Sequence, residues 1–220
     1  MRVFLIGAAG GVGRRLAALL TKRGDEVSGM HREGSQSATV TAGGATPVIG
    51  DLIADSAADL AEKFRGHDAV VFSAGAHGTG LDKTTAIDGD GLRKAVDAAA
   101  LAGVSRFAVV SVFLEAGRGP DSSAGFEHYM AVKKDADVYL AASDLDWIIL
   151  RPGQLLDDPG TGSVTAGPAI HYGAVTRDDV AAFLAAVLHE GALSRVIIEL
   201  TGGGTPVDQA VANLVAGQRA

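Results

Sequence analysis

Two stretches of the chain carry residue types at spacings suited to chemistry. In "FEHYMAVKKDAD" Tyr129 and Lys133 are four apart, so on a helix both share one face. A phenol beside an ammonium has its pKa lowered and can protonate a developing alkoxide, or deprotonate an alcohol in reverse. On a wet face the same pair is only a surface contact with the ring over apolar neighbours. The second stretch, "GAAGGVG", places Gly7, Gly10 and Gly13 where an apolar run meets a leucine-rich one, with Ala8, Gly11 and Val12 between them. Backbone of this kind turns sharply and approaches a pyrophosphate, whose charge is favoured by the free N–H groups of a helix N-terminus.

Composition removes several other chemistries. The 220 residues include no Cys, which excludes disulfides, a thiolate nucleophile and Cys-ligated metal, and fits a cytoplasmic protein. The six His are scattered without metal-ligand spacing, so no metal is expected. A net charge of −7 supplies no basic footprint for nucleic acid or anionic membrane. The run "VFLIGAAGGVG" behind Met1-Arg2 is broken by small residues and followed by no cleavage site, so it is not read as a signal peptide. No stretch approaches the roughly 20 apolar residues of a membrane helix.

The chemistry must be positioned by alternating elements. Short β-branched runs ("RVFLIG", "EVSGM", "TPVIGD", "AVVFSAG", "RFAVVSV", "WIILRPG", "RVIIEL") alternate with Ala/Leu-rich segments. In "GVGRRLAALLTKRG" Leu16, Leu19 and Leu20 share a face and Gly24 is the stop; in "DGLRKAVDAAALAGV" Leu92, Val96 and Ala99 point inward and Gly103 ends the helix. "TRDDVAAFLAAVLHE" opens with a Thr176/Asp179 capping box and carries the stripe Val180, Phe183, Leu184, Val187, Leu188. This pattern predicts an α/β fold with a doubly wound parallel sheet, one Rossmann domain over 1–220 with a small C-terminal substrate region. The Gly/Pro-rich run from Pro152 to Pro168 reads as a long loop, and 152–172 as a substrate-side loop.

In such a sheet ligands lie outside the carboxyl ends of the strands. That rule selects Asp51-Leu52, Ser73-Ala74-Gly75, Ser111 and Pro152-Gly153 as cleft residues, with Asp51 toward an adenine edge and Ser73–Gly75 beside a ribose. Past the second strand stand His31, Arg32 and Glu33. Arg32 is suited to a 2′-phosphate with His31 assisting, which favours NADP; Glu33 lies near the position of an acidic NAD ligand and keeps NAD open.

"FLIGAAGGVG", "GD" at 50–51, "VFSAG", "AGVSRFAVVS", "YMAVK", "LRPG", "GAVTRDDVAAFLAAVL" and "ELTGGGTP" resemble, in order and spacing, the atypical short-chain dehydrogenase/reductases. The likeness is to their small NAD(P)H-binding subgroup, called sugar-epimerase-like or NmrA-like, and covers nearly the whole chain. It implies a catalytic Tyr129 and Lys133, with Lys133 also holding the nicotinamide ribose. It further implies a catalytic hydroxyl residue beside the tyrosine; this chain reads Ser111-Val112, so where Val112 takes that position Ser111, otherwise nearer the cofactor, is the one that could substitute. After "LRPG" too few residues remain for a large sugar-nucleotide lobe, so a small carbonyl compound, quinone or flavin is the expected substrate. Its walls are expected at 77–82, 113–126 and 153–172. The resemblance allows a monomer or a homodimer. Two functions follow, an NADPH-dependent reductase and a weakly catalytic or inactive NADP(H)-binding sensor acting through a protein partner.

Overall fold

The computed structural model describes residues 1–76, 78–119 and 122–218. Along the chain β1 (Arg2–Ile6) leads into α1 (Gly11–Lys22), β2 (Glu26–His31) into α2 (Ser37–Ala42), and β3 (Thr46–Ile49) into α3 (Ala57–Phe64). Next come β4 (Ala69–Phe72), α4 (Leu81–Thr84), a π-helical turn over Thr85–Gly91, α5 (Leu92–Ala102), β5 (Arg106–Val110) and α6 (Ala124–Ala141). The C-terminal part holds β6 (Asp146–Pro152), β7 (Gln154–Leu156), β8 (Ser163–Gly167), β9 (Ala174–Thr176), α7 (Arg177–Leu188), β10 (Val196–Gly202), β11 (Thr205–Pro206) and α8 (Val207–Gln218).

The main sheet has the order β11-β8-β10-β6-β5-β4-β1-β2-β3. From β3 to β10 every pairing is parallel; β8 then runs antiparallel to β10, and β11 antiparallel to β8. The winding reverses between β1 and β4, and a crevice opens outside their carboxyl ends. This is the doubly wound α/β sheet expected from the alternation of runs.

Because helices cover both faces, the central strands are buried throughout and alternate residues feed two cores. Val3, Leu5, Val71, Ala108 and Ile148 pack with Leu16 and Leu20 of α1 and Phe183, Leu184 and Val187 of α7. Phe4, Ile6, Phe72, Phe107 and Ile149 pack with Leu60 and Phe64 of α3, Leu92 and Val96 of α5, and Leu140 of α6. Gly103 takes positive φ directly after α5, and Gly24 does so one residue beyond the Arg23 C-cap of α1, as helix stops require.

Two expectations are corrected. The stretch read as a loop over 152–168, and the substrate-side loop over 152–172, contain β7 and β8, and β7 pairs with β9 in a separate two-stranded ribbon. These strands are too short and glycine-flanked to show a sequence period, and β8 forms because β10 and β11 pair with it. The helix read as starting at Asp90 instead begins at Leu81, nine residues earlier, and continues through the π-helical turn, while Gly78, Gly80 and Leu81 of the 77–82 segment do line a cavity. His77, Pro120 and Asp121, which fall in the expected walls, lie outside the described residues.

The α7 start departs from a reciprocal capping box. Thr176 Oγ1 accepts from the Asp179 N–H, but the Asp179 carboxylate accepts from the N–H groups of Thr161 and Gly162 and from both threonine hydroxyls. Burial pushes this carboxyl up, and those donors outweigh it, so it ends below its ordinary value. Asp179→Ala is expected to cost about 2 kcal/mol by orphaning these donors, read as a lowered Tm. A depressed folded-state pKa contributes stability above the ordinary value that is lost as pH falls through the folded one, so the wild-type excess over the variant shrinks in acid.

Candidate dinucleotide and substrate site

The site begins at the turn from β1 to α1. Gly7 has φ +81°, and a Cβ there would lie 2.7 Å from the Ala74 nitrogen; at Gly13 one would lie 2.3 Å from the Gly7 carbonyl oxygen. Only glycine lets the loop close against β4 and α1 start beneath it. Gly10 is the N-cap, in extended backbone and without a side-chain cap, so no side chain competes for the first-turn N–H groups. Gly7 and Ala8 donate their N–H groups to the Met30 carbonyl, and Ala8 is buried, so Ala8 and Gly13 shape the loop rather than line the cleft.

One cavity, of about 300 Å3, lies beside Gly7 and Gly10 and is bounded by His31, Arg32, Asp51 and Leu52. His31 does not reach outward as expected. It is buried, with Nδ1 against the Glu33 carbonyl and Nε2 against Ser37 Oγ, so its ring ties the loop after β2 to α2. Arg32 is exposed and donates to Glu33 Oε1 at 2.9 Å. Asp51 Oδ1 accepts from the Ile53 N–H, which spends that oxygen on a turn, and Leu52 is buried. Lys83 of α4 adds a second cation to the same cavity, brought there from a segment whose spacing gives no sign of it.

Ser73, Ala74 and Gly75 form a waist between this cavity and a second of about 630 Å3. Beyond the waist stand Gly11, Val12, Asp88, Tyr129, Lys133 and Arg177. Lys133, only 3% exposed, donates to the Val110 carbonyl at 3.1 Å and lies 3.8 Å from Asp88 Oδ1. Asp88, 2% exposed, sits on the π-helical turn and accepts the Ala76 N–H at 2.9 Å. Such turns swing one residue out of helical register, here to place a carboxylate under the waist.

Tyr129 lines this cavity with Lys133, but its phenol is not loosened. Burial, then the charges of Asp88 and Asp137, push its pKa up to about 12. The expected lowering fails because the Lys133 ammonium is held by Val110 and Asp88 and two carboxylates act on the ring's surroundings. In this state Tyr129 is a firmly protonated donor.

Ser111 and Val112 divide across the backbone. The Ser111 side chain is buried and lines none of the three cavities; it lies toward Asp137, holding that carboxylate electrostatically, although no hydrogen bond of good geometry joins them. Asp137 is pushed up by burial, offset in part by Ser111, Lys133 and Arg151, and Arg151 Nε donates to it at 3.0 Å. Ser111 is therefore corrected from a cleft residue to an internal one. Val112 faces a third cavity of about 580 Å3, with Phe113, Phe126, Met130, Leu155 and Tyr172 among its walls and Pro152 and Gly153 at its edge. Phe113 and Tyr172 meet edge to face, 5.4 Å between centroids. Tyr129, Phe126, Leu155 and Arg177 border both the second and third cavities.

A doubly wound parallel sheet, a glycine cradle too tight for any Cβ at its first turn, and cavities running from that turn across the switch point define a Rossmann dinucleotide-binding protein. The chain belongs to the NAD(P)H-binding family, which it matches over residues 7–191. It is 40% identical over 216 residues to the uncharacterized sugar epimerase YhfK of Bacillus subtilis, covering 97% of this chain and 100% of that one. The solved structure of a proposed NAD-dependent epimerase/dehydratase from Bacillus halodurans is 34% identical and superposes with a TM-score of 0.89, over 97% of this chain and 99% of that one. The anaerobillin reductase ChuY of Escherichia coli O157:H7 is 27% identical with a TM-score of 0.78, over 92% and 97%. The resemblance read from the sequence is borne out at this level. Among the described residues no helix is long and apolar enough to cross a membrane.

Proposed function

We propose that the protein is an NADPH-dependent reductase of a small carbonyl compound, quinone or flavin. The observation that carries this reading is the position of Tyr129 on the wall shared by the cofactor cleft and an aromatic-lined cavity of about 580 Å3. Bound NADPH would supply hydride. Arg32 and Lys83 give the adenosine end two cations for a 2′-phosphate, against Asp51, of which one oxygen is already hydrogen-bonded. Lys133, on the cavity wall beyond the waist, would hold the ribose hydroxyls with its ammonium. Tyr129 donates its proton to an oxygen or nitrogen that gains charge, and Phe113, Phe126 and Tyr172 accept a flat ring system. The reductase name of ChuY supports the reaction class.

Val112 favours a second reading, a dinucleotide-binding sensor, because an apolar side chain stands where a hydroxyl would polarise a carbonyl. Following NADPH oxidation with quinones, flavins and aldehydes separates the two: turnover supports the reductase, and tight binding without turnover across the panel supports the sensor. Arg32→Ala is expected to weaken NADPH binding about 10-fold and NADH binding by less than about 2-fold, by titration calorimetry. Equal losses for both dinucleotides would remove the 2′-phosphate role.

A further inference from the structure

A pair of arginines meets a pair of aspartates at the mouth of the phosphate loop. Arg15 of α1 is fixed at three points: Nη1 donates to the Gly11 carbonyl at 2.9 Å, Nε bonds Asp178, and Nη2 lies 3.6 Å from Asp157 Oδ1, whose other oxygen faces Arg177. Arg177, the first residue of α7, is held more loosely. Its Nη1 pairs with Asp157 Oδ2 at 3.0 Å and reaches the Leu155 carbonyl only at 3.4 Å. Asp157 is 71% exposed in its side chain, so the pair keeps one face in water.

The Arg177 stem lies across the start of α1. A Cβ at Gly11 would fall 2.8 Å from Arg177 Cδ and 2.9 Å from Nε, so the glycine that reads as part of the phosphate loop is also what admits this side chain. The guanidinium therefore borders the uncapped first turn of α1, whose free N–H groups favour a diphosphate, while its partner is an exposed surface carboxylate. A diphosphate carries more charge than Asp157 and offers oxygens to the planar guanidinium fork.

We propose that Arg177 is a diphosphate-positioning residue that exchanges partners: Asp157 occupies its guanidinium in the free protein and yields it when a dinucleotide binds. The Asp157–Arg177 pair is thus an autoinhibitory contact that weakens cofactor affinity and, because Arg177 also borders the aromatic cavity, links cofactor occupancy to the substrate wall. The idea rests on dinucleotide binding at this loop but not on the NADPH preference or the reductase reaction.

The test is a double-mutant cycle on Kd, by calorimetry with NADPH, NADH and ADP-ribose and with adenosine as a ligand lacking the diphosphate. Asp157→Asn is expected to tighten the three diphosphate ligands about 2- to 5-fold, the scale of an exposed ion pair, and to leave adenosine unchanged. Arg177→Ala is expected to weaken them about 10-fold, Arg177→Lys to recover part of the loss, and Asp157→Asn to have no effect once Arg177 is Ala. Thermal melting checks that each variant is folded. Unchanged or weaker binding in folded Asp157→Asn, or a tightening that survives in the Arg177→Ala background, overturns the exchange. Failure of the wild type to bind any dinucleotide would instead refute the site on which it rests, a result distinct from either.

Discussion

Tyr129→Phe is expected to lower turnover of an aldehyde or ketone about 100-fold while leaving NADPH affinity and Tm near wild type, because it removes one proton donor and little volume. Quinone or flavin reduction, which leans less on a side-chain acid, should fall by less than about 5-fold. The pH profile carries the sharper signature. A donor acts in its protonated form, present below its pKa, so with a phenol pushed up to about 12 the wild-type rate should show no Tyr129 limb through neutral and mildly alkaline pH. A limb below the ordinary value of 10.0 that vanishes in Tyr129→Phe would mean that Lys133 governs the phenol after all. The sign also fixes a stability effect: a folded-state pKa above the ordinary one gives stability that is full below pH 10 and lost as pH rises toward about 12. Asp88→Asn removes one of the charges that raise the phenol, so tyrosinate absorbance should then appear at lower pH.

Lys133→Met should be the most destabilising change at the site. Lys133 and Asp88 are both about 3% exposed in their side chains, and removing the ammonium leaves a buried carboxylate with one N–H donor and no cation beside it. Breaking such a pair costs about 3 kcal/mol, which in a chain of this size lowers Tm by roughly 6–12 °C. Adding Asp88→Asn should return part of the loss, since the stranded charge goes with it, whereas dinucleotide affinity should stay low because the ammonium in the cavity beyond the waist is still missing. A Lys133→Met protein that melts like wild type would show that the pair does not hold the π-helical turn against α6.

The frame of the molecule could be read in advance because each central strand is buried on both faces and so appears as an unbroken apolar run. Leu16 and Leu20, Val96 and Ala99, and the α7 stripe also kept their expected inward faces. The glycine cradle and the Ser73–Gly75 waist followed from strand ends alone. What escaped was set by neighbours distant in sequence. Asp88 gains meaning only when a widened turn drops it beside Lys133 from α6, and Arg177 only when α7 lays it over Gly11. The direction of the Tyr129 shift depends on burial and on Asp88 and Asp137, which no spacing of Tyr and Lys discloses. His31 and Ser111 had suitable types at suitable places, yet their polar atoms turn to Glu33 and Ser37 in one case and toward Asp137 in the other.

The β7–β9 ribbon pairs Gln154 to Leu156 with Ala174 to Thr176 and shares no ladder with the nine-stranded sheet. Leu155, on one of its strands, and Tyr172, just before the other, face the aromatic cavity, while the strands that fold the molecule carry none of that cavity's aromatic walls. Substitutions here can therefore reshape that cavity without shifting a register that the core depends on. For selection, or for an engineer, this makes the ribbon a separately adjustable module: Tyr172 borders the aromatic cavity alone and can vary without touching the cofactor side, whereas Leu155 borders both cavities and couples them.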